Sequence, residues 1–108
     1  MNNNLDACGL SSETIYKIQQ VFSKYPYIQK VCLYGSRAKG NFKTGSDIDL
    51  TIMNSTINFS QLLSIEIKLD DLLLPYKIDL SIFNKIENKD LIDHIQRVGI
   101  DFYNQPAS

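Results

Sequence analysis

The sequence predicts an α/β (α+β) domain, a small mixed β-sheet with helices packed on one face. Stretches with apolar residues at helical spacing alternate with short β-branched stretches of period two. Each of the three longer helical stretches meets a proline or glycine at its end. The length of 108 residues, with 44% hydrophobic and 21% charged composition, suits a single core. One domain over residues 1–108 is therefore expected, with the motif-bearing part at about 31–83.

The first helix is expected to start near Ser11, a capping residue, with Glu13 against its positive end. Ile15, Ile18, Val21 and Phe22 recur at helical spacing until Tyr25-Pro26. Ile28 to Tyr34 predicts a strand running into the Gly35-Ser36 turn, where a short helix should begin. A loop rich in Gly, Ser and Asn spans Gly40 to Ser46, and Asp47 to Met53 alternates as a second strand. Phe59 to Leu74 predicts a helix ended by Pro75, although Ile65 and Ile67 blur its polar face. Tyr76 to Phe83 alternates again, with Ile78, Leu80 and Ile82 opposite Lys77, Asp79 and Ser81. A last helix covers Lys89 to Val98 and ends at Gly99, and Ile100 to Tyr103 can add a short edge strand.

Several classes are excluded. The formal charge is -1 and the pI is about 5.7, so no global basic field draws the chain onto DNA or an anionic membrane. Apolar runs are far shorter than the ~20 residues of a membrane-spanning helix. Met1-Asn2-Asn3-Asn4 has neither the basic start nor the apolar run of a secretory signal. Cys8 and Cys32 make no disulfide framework, so a cytoplasmic protein is expected.

Asp47 and Asp49 leave the same face of their strand, with Cα atoms ~6.6 Å apart. Asp79 holds the same kind of position in the third strand. If these strands are neighbours, three carboxylates converge. Their mutual repulsion would be relieved by divalent cations, and oxygen-only ligation suits Mg²⁺ or Mn²⁺ over zinc. Taken alone, Asp47 and Asp49 are equally well the solvent side of an amphipathic strand. The segment before them shifts the balance: Lys30 to Ser46 contains no acid but carries Lys30, Arg37, Lys39 and Lys43 around Gly35-Ser36. Glycine lets the backbone approach a ligand, and N–H groups of the turn with the Ser36 hydroxyl suit a phosphate. A phosphate cradle followed by a metal-binding carboxylate pair is the equipment of phosphoryl or nucleotidyl transfer.

Other motifs fail. Gly35 to Gly40 has P-loop glycine spacing, but Asn41-Phe42 stands where Lys-Ser/Thr is required. Ile52 and Asn58 occupy the Gly and Glu positions of an EF-hand begun at Asp47. His94 is the single histidine, so no zinc cluster forms, and it is expected at a surface or boundary position of the last helix.

Leu33-Tyr34-Gly35-Ser36-Arg37-Ala38-Lys39-Gly40 with Gly45-Ser46-Asp47-Ile48-Asp49-Leu50 resembles the signature of the DNA polymerase β-type nucleotidyltransferase superfamily. With Lys77-Ile78-Asp79-Leu80, it is similar to the minimal nucleotidyltransferases, the antitoxin-type half of pairs whose other half is a helical HEPN-type protein. The resemblance implies the polymerase β-like fold, with Gly35 and Ser36 holding the β- and γ-phosphates of ATP or another NTP. It also implies Asp47, Asp49 and Asp79 as ligands of two Mg²⁺ ions, Asp79 helping to deprotonate the acceptor. At the fifth position of the Gly-Ser hexapeptide, often Arg in the family, stands Lys39. Arg37 either takes that phosphate contact or is a solvated cation.

The expected function is Mg²⁺-dependent transfer of a nucleotide, AMP from ATP, to a tyrosine of, or a substrate held by, the HEPN-type partner. No acceptor-gripping module is evident in the chain, which favours a partner subunit. One alternative is transfer to a small molecule such as an aminoglycoside, with the acid-rich stretch Glu66 to Asp93 as pocket or as an ordinary solvated surface. Another is a non-catalytic antitoxin that binds through the Ile100–Tyr103 edge. That edge equally allows a homodimer or hetero-oligomer, and Ile57, Phe59, Phe102 and Tyr103 are either its contact patch or core. No extended nucleic-acid surface is expected.

Overall fold

In the computed structural model, which describes residues 4–53 and 56–106, Ser11 caps the first helix as its position predicts. Its hydroxyl oxygen accepts the Thr14 N–H at 3.1 Å, satisfying one donor that a helix start leaves unpaired. This helix, α1 (Ser12–Ser23), buries Ile18, Val21 and Phe22. There follow β1 (Lys30–Tyr34), the one-turn α2 (Gly35–Lys39) and β2 (Ile48–Met53). The chain continues through α3 (Phe59–Asp70), β3 (Ile78–Ile82), α4 (Lys89–Val98) and β4 (Ile100–Asn104). Met1-Asn2-Asn3, read above for a signal, lie outside the described residues.

The sheet order is β3-β2-β1-β4. β1 is antiparallel to both β2 and β4, whereas β2 and β3 are parallel, so the sheet is mixed. The parallel pair needs a crossover, and α3 supplies it. β4 is an edge strand, as expected, and β3 is the other edge.

Strand alternation sorts the two faces. Val31 and Leu33 of β1, Ile48, Leu50 and Ile52 of β2, and Leu80 and Ile82 of β3 meet Ile18, Phe22, Ile65 and Leu69 of the long helices α1 and α3. The residues between them, Cys32 and Tyr34 with Met53, form a smaller cluster on the opposite face with Ile95 and Leu91 of α4. The one-face expectation thus holds for the two long helices, and α4 covers part of the other face. Asp49 and Asp79 lie on that second face, beside the first turns of α4.

Three details differ from the sequence pattern. α3 ends at Asp70 rather than Leu74, because the helix cannot continue through a left-handed Leu73 and Pro75 disfavours a helical Leu74 after it. The chain instead turns through Leu73, at φ 56°. Ile65 is buried while Ile67 joins Leu63 and Phe59 on an exposed stripe, which is why the periodicity blurs. Ile57, Phe102 and Tyr103 are buried in the core, so of the proposed contact patch only Phe59, 73% exposed, stays open. Both cysteines are free and buried, and no helix among the described residues is long and apolar enough to cross a membrane.

Candidate active site

β2 and β3 run parallel with Asp49 and Asp79 as register partners. Neighbouring strands lie ~4.8 Å apart and partners share a face, so these two carboxylates leave the sheet side by side. Asp47 sits two residues earlier, just before β2, and is exposed. Its charge reaches Asp49, as does that of Asp79. The expected convergence of β2 and β3 is therefore present in the backbone register. Among the described residues no three His, Cys, Asp or Glu side chains close into a ready-made metal cage. Mg²⁺ does not require one, since it keeps several waters and takes its remaining ligands from substrate phosphates.

Gly35 leads from β1 into α2 at φ 76°, a conformation that disfavours any side chain. Space enforces the same choice: a Cβ on Gly35 would overlap the Asp49 carboxylate. The glycine thus brings the backbone of the Gly35-Ser36 turn against the second carboxylate, which is register-paired to Tyr34 across β1 and β2. Ser36 is partly exposed, and its carbonyl accepts the N–H groups of Gly40 and Asn41 that close the turn.

His94 belongs to this site, and sequence reasoning missed it. It is partly buried, a boundary position as expected. However, its Nε2 accepts the Gly35 N–H at 3.1 Å, and its ring stands edge-on to Tyr34 with centroids 6.1 Å apart. A cleft of about 520 Å³ is lined by Tyr34, Gly35, Asp49, Asp79, Asn88, Asp90, Leu91 and His94. The spacing of Asp90, Leu91 and His94 on one flank of α4 was visible in the sequence. Which sheet face that flank meets was not.

Arg37 is corrected. The sequence left it as a phosphate contact or a solvated cation, yet it is only 3% exposed. Its Nε and Nη2 donate to the Ser46 carbonyl at 3.2 and 2.9 Å, and its Nη1 donates to the Cys8 carbonyl at 2.9 Å. The rings of Phe42 and Tyr76 lie 5.1 and 4.9 Å from the guanidinium carbon. All its reach is thus spent inside the fold, and Lys39 is the exposed cation of the Gly-Ser turn.

Burial, and then the charges of Asp79 and Asp47, hold the Asp49 carboxyl above the ordinary carboxylate range. Burial likewise raises the Tyr34 phenol, with Asp79 and Asp49 adding to the shift. The donor set fits a divalent cation: all-oxygen, anionic and electrostatically unrelieved. A raised acid pKa means that ionising Asp49 costs the fold more than it costs the unfolded chain. The penalty is absent below the ordinary value and complete above the raised one. In EDTA, stability is expected to decline as pH rises through that interval. Asp49→Asn should flatten the decline and unfold at higher urea near neutral pH. A variant no more stable than the parent there would contradict the electrostatic account.

The family model described as "Polymerase beta, Nucleotidyltransferase" matches residues 16–107. No curated protein matches the chain in sequence. Among solved structures, the chain is similar to one described as a toxin-antitoxin with AMP-PNP. That match has TM-score 0.65 and 22% identity, covering 89% of this chain and 75% of the other. It is also similar to a chain in the complex of a tri-AMPylated Shewanella oneidensis HEPN toxin with its MNT antitoxin. There the TM-score is 0.64 and the identity 18%, over 89% and 74% of the two chains. A third likeness, to the toxin-antitoxin MntA-HepT, has TM-score 0.64 and 18% identity, with coverage of 88% and 74%. At these identities the likeness is one of fold. The family match extends over nearly the whole chain, including the Gly-Ser turn and all three aspartates, and the chain belongs to the polymerase beta nucleotidyltransferase family.

Proposed function

We propose that the protein transfers AMP from ATP, with Mg²⁺, to a hydroxyl of a helical HEPN-type partner, a tyrosine. It thereby acts as the antitoxin of a two-protein cytoplasmic pair. One observation carries this: Asp49 and Asp79 stand in register on parallel strands, against a glycine with no room for a Cβ, and Asp47 lies two residues upstream. The likeness in fold to a toxin-antitoxin with AMP-PNP and to the complex of an AMPylated HEPN toxin with its MNT antitoxin supports the choice of nucleotide and partner.

The backbone and hydroxyl of Gly35-Ser36, with Lys39 beside them, would hold the β- and γ-phosphates and aim the α-phosphorus at the cleft. Asp47 and Asp49 would hold both Mg²⁺ ions, with Asp79 on the one nearer the acceptor. When bound, such a metal pair supplies a lowered hydroxyl pKa and charge compensation for the leaving group. Asp79 would accept the acceptor's proton. The acceptor oxygen forms its bond to the α-phosphorus as the bridging oxygen departs with its electron pair in pyrophosphate.

Incubation with labelled ATP, Mg²⁺ and the HEPN-type protein encoded beside it should place label on that protein's tyrosine. The doubly substituted Asp47→Ala, Asp49→Ala chain should leave it unlabelled. Equal labelling by that variant would falsify the proposal.

A further inference from the structure

We infer that Arg37 is a positioning residue that sets Asp47 and Asp79 against the Gly-Ser turn without touching the nucleotide. The inference rests on the metal-carboxylate assignment above. The three parts of the signature sit on separate segments, and this one side chain starts beside the first and touches the segments leading into the other two. It follows Ser36 directly in α2. Its Nε and Nη2 together grip the carbonyl of Ser46, the residue immediately before Asp47. Its guanidinium packs on Tyr76, three residues before Asp79, and on Phe42 in the loop between the two motifs. Nη1 anchors the whole to the Cys8 carbonyl.

The chemistry of the contacts explains why arginine is needed here. A planar fork can present two N–H groups to one carbonyl, a third to another and both faces to aromatic rings, whereas an ammonium carries its three donors on one atom and has no flat face to stack. Hydrogen bonds from a charged donor are also about twice as strong as neutral ones. Among the described loop residues around Asp47, Ser46 is held at three groups: its carbonyl by Arg37, its Oγ by the Lys43 N–H at 2.8 Å and its N–H by the Lys43 carbonyl at 2.9 Å. Asp47 itself is exposed, so its placement depends on the backbone at its two sides: buried Ile48, whose N–H donates to the Lys77 carbonyl, after it and the Arg37-held Ser46 before it. From the opposite side, Gly9 touches the same cluster. A Cβ there would overlap Phe42 and come within 2.9 Å of Arg37 Nη1.

The test uses Mn²⁺ as probe, titrated into the full chain with a non-hydrolysable ATP analogue and followed by the loss of its free electron-resonance signal beyond that caused by the analogue alone. Arg37→Lys is expected to weaken Mn²⁺ uptake about tenfold, because a displaced carboxylate no longer meets the ion in geometry. Gly9→Ala, whose methyl would overlap the Phe42 ring and crowd the guanidinium packed on it without altering Arg37 itself, should weaken uptake in the same direction. Phe22→Leu, a core change remote from the cluster, should keep the parent's uptake even at matched loss of thermal stability. Parent-like uptake by both Arg37→Lys and Gly9→Ala overturns the inference, as does an equal loss in Phe22→Leu. No uptake by the parent chain overturns the metal-carboxylate assignment itself, and the inference falls with it.

Discussion

Asp79→Asn is expected to slow nucleotidyl transfer by about 10³-fold, roughly 4 kcal/mol at the transition state, while leaving the KM for ATP near its parent value. The asymmetry follows from position. Asp79 lies on β3, across from Asp49, whereas the proposed phosphate turn Gly35-Ser36 opens α2, directly after β1. On the proposed assignment nucleotide binding keeps its cradle, and what disappears is a metal ligand together with the acceptor of the hydroxyl proton. The substitution also removes one of the two charges that hold the Asp49 carboxyl up, so the folded state should lose no stability. Single-turnover labelling at several ATP concentrations separates the two parameters. A rate within about threefold of the parent would remove Asp79 from the reaction, because loss of a transition-state interaction cannot leave the chemical step that fast.

The second large effect is expected at Gly35. Gly35→Ala pays twice: a left-handed backbone costs an L-residue about 1–2 kcal/mol, and the new methyl overlaps the Asp49 carboxylate. The carboxylate can escape by rotating about its own side-chain bonds, which limits the loss of stability but moves a proposed metal ligand. Transfer should then fall about 10²-fold, the usual consequence of a misplacement of about 1 Å. Thermal unfolding and initial labelling rates measured on the same preparation distinguish this from simple unfolding. A variant that is destabilised yet transfers at the parent rate would show that the close approach of Gly35 to Asp49 has no catalytic meaning.

Much of this architecture was legible in the sequence because its signals are local. Ser11 caps α1, Pro75 forbids helix before it, and the period-two alternation of Ile48, Leu50 and Ile52 assigns Asp49 to the other face from the core. The convergence of Asp49 with Asp79 was conditional on a strand pairing that periodicity cannot fix. The parallel register of β2 and β3 supplies it. Two residues escaped for the same reason. Arg37 sits in a run of cations beside a phosphate-type turn, and nothing local shows that the carbonyls of Ser46 and Cys8 fold back to claim it. His94 lies on α4, 59 positions from Gly35, and reaches it because α4 lies on the sheet face opposite α1 and α3. Chemistry assembled from distant segments leaves weaker traces in a sequence than helix caps do.

Calorimetric titration of Mg²⁺ with a non-hydrolysable ATP analogue probes the shared carboxylate site most directly, comparing the parent chain with a triple variant carrying Asp47→Asn, Asp49→Asn and Asp79→Asn. The account predicts Mg²⁺-dependent uptake of the analogue by the parent and loss of that dependence in the variant, with the fold of both intact. Identical Mg²⁺-dependent uptake by the two chains would contradict it.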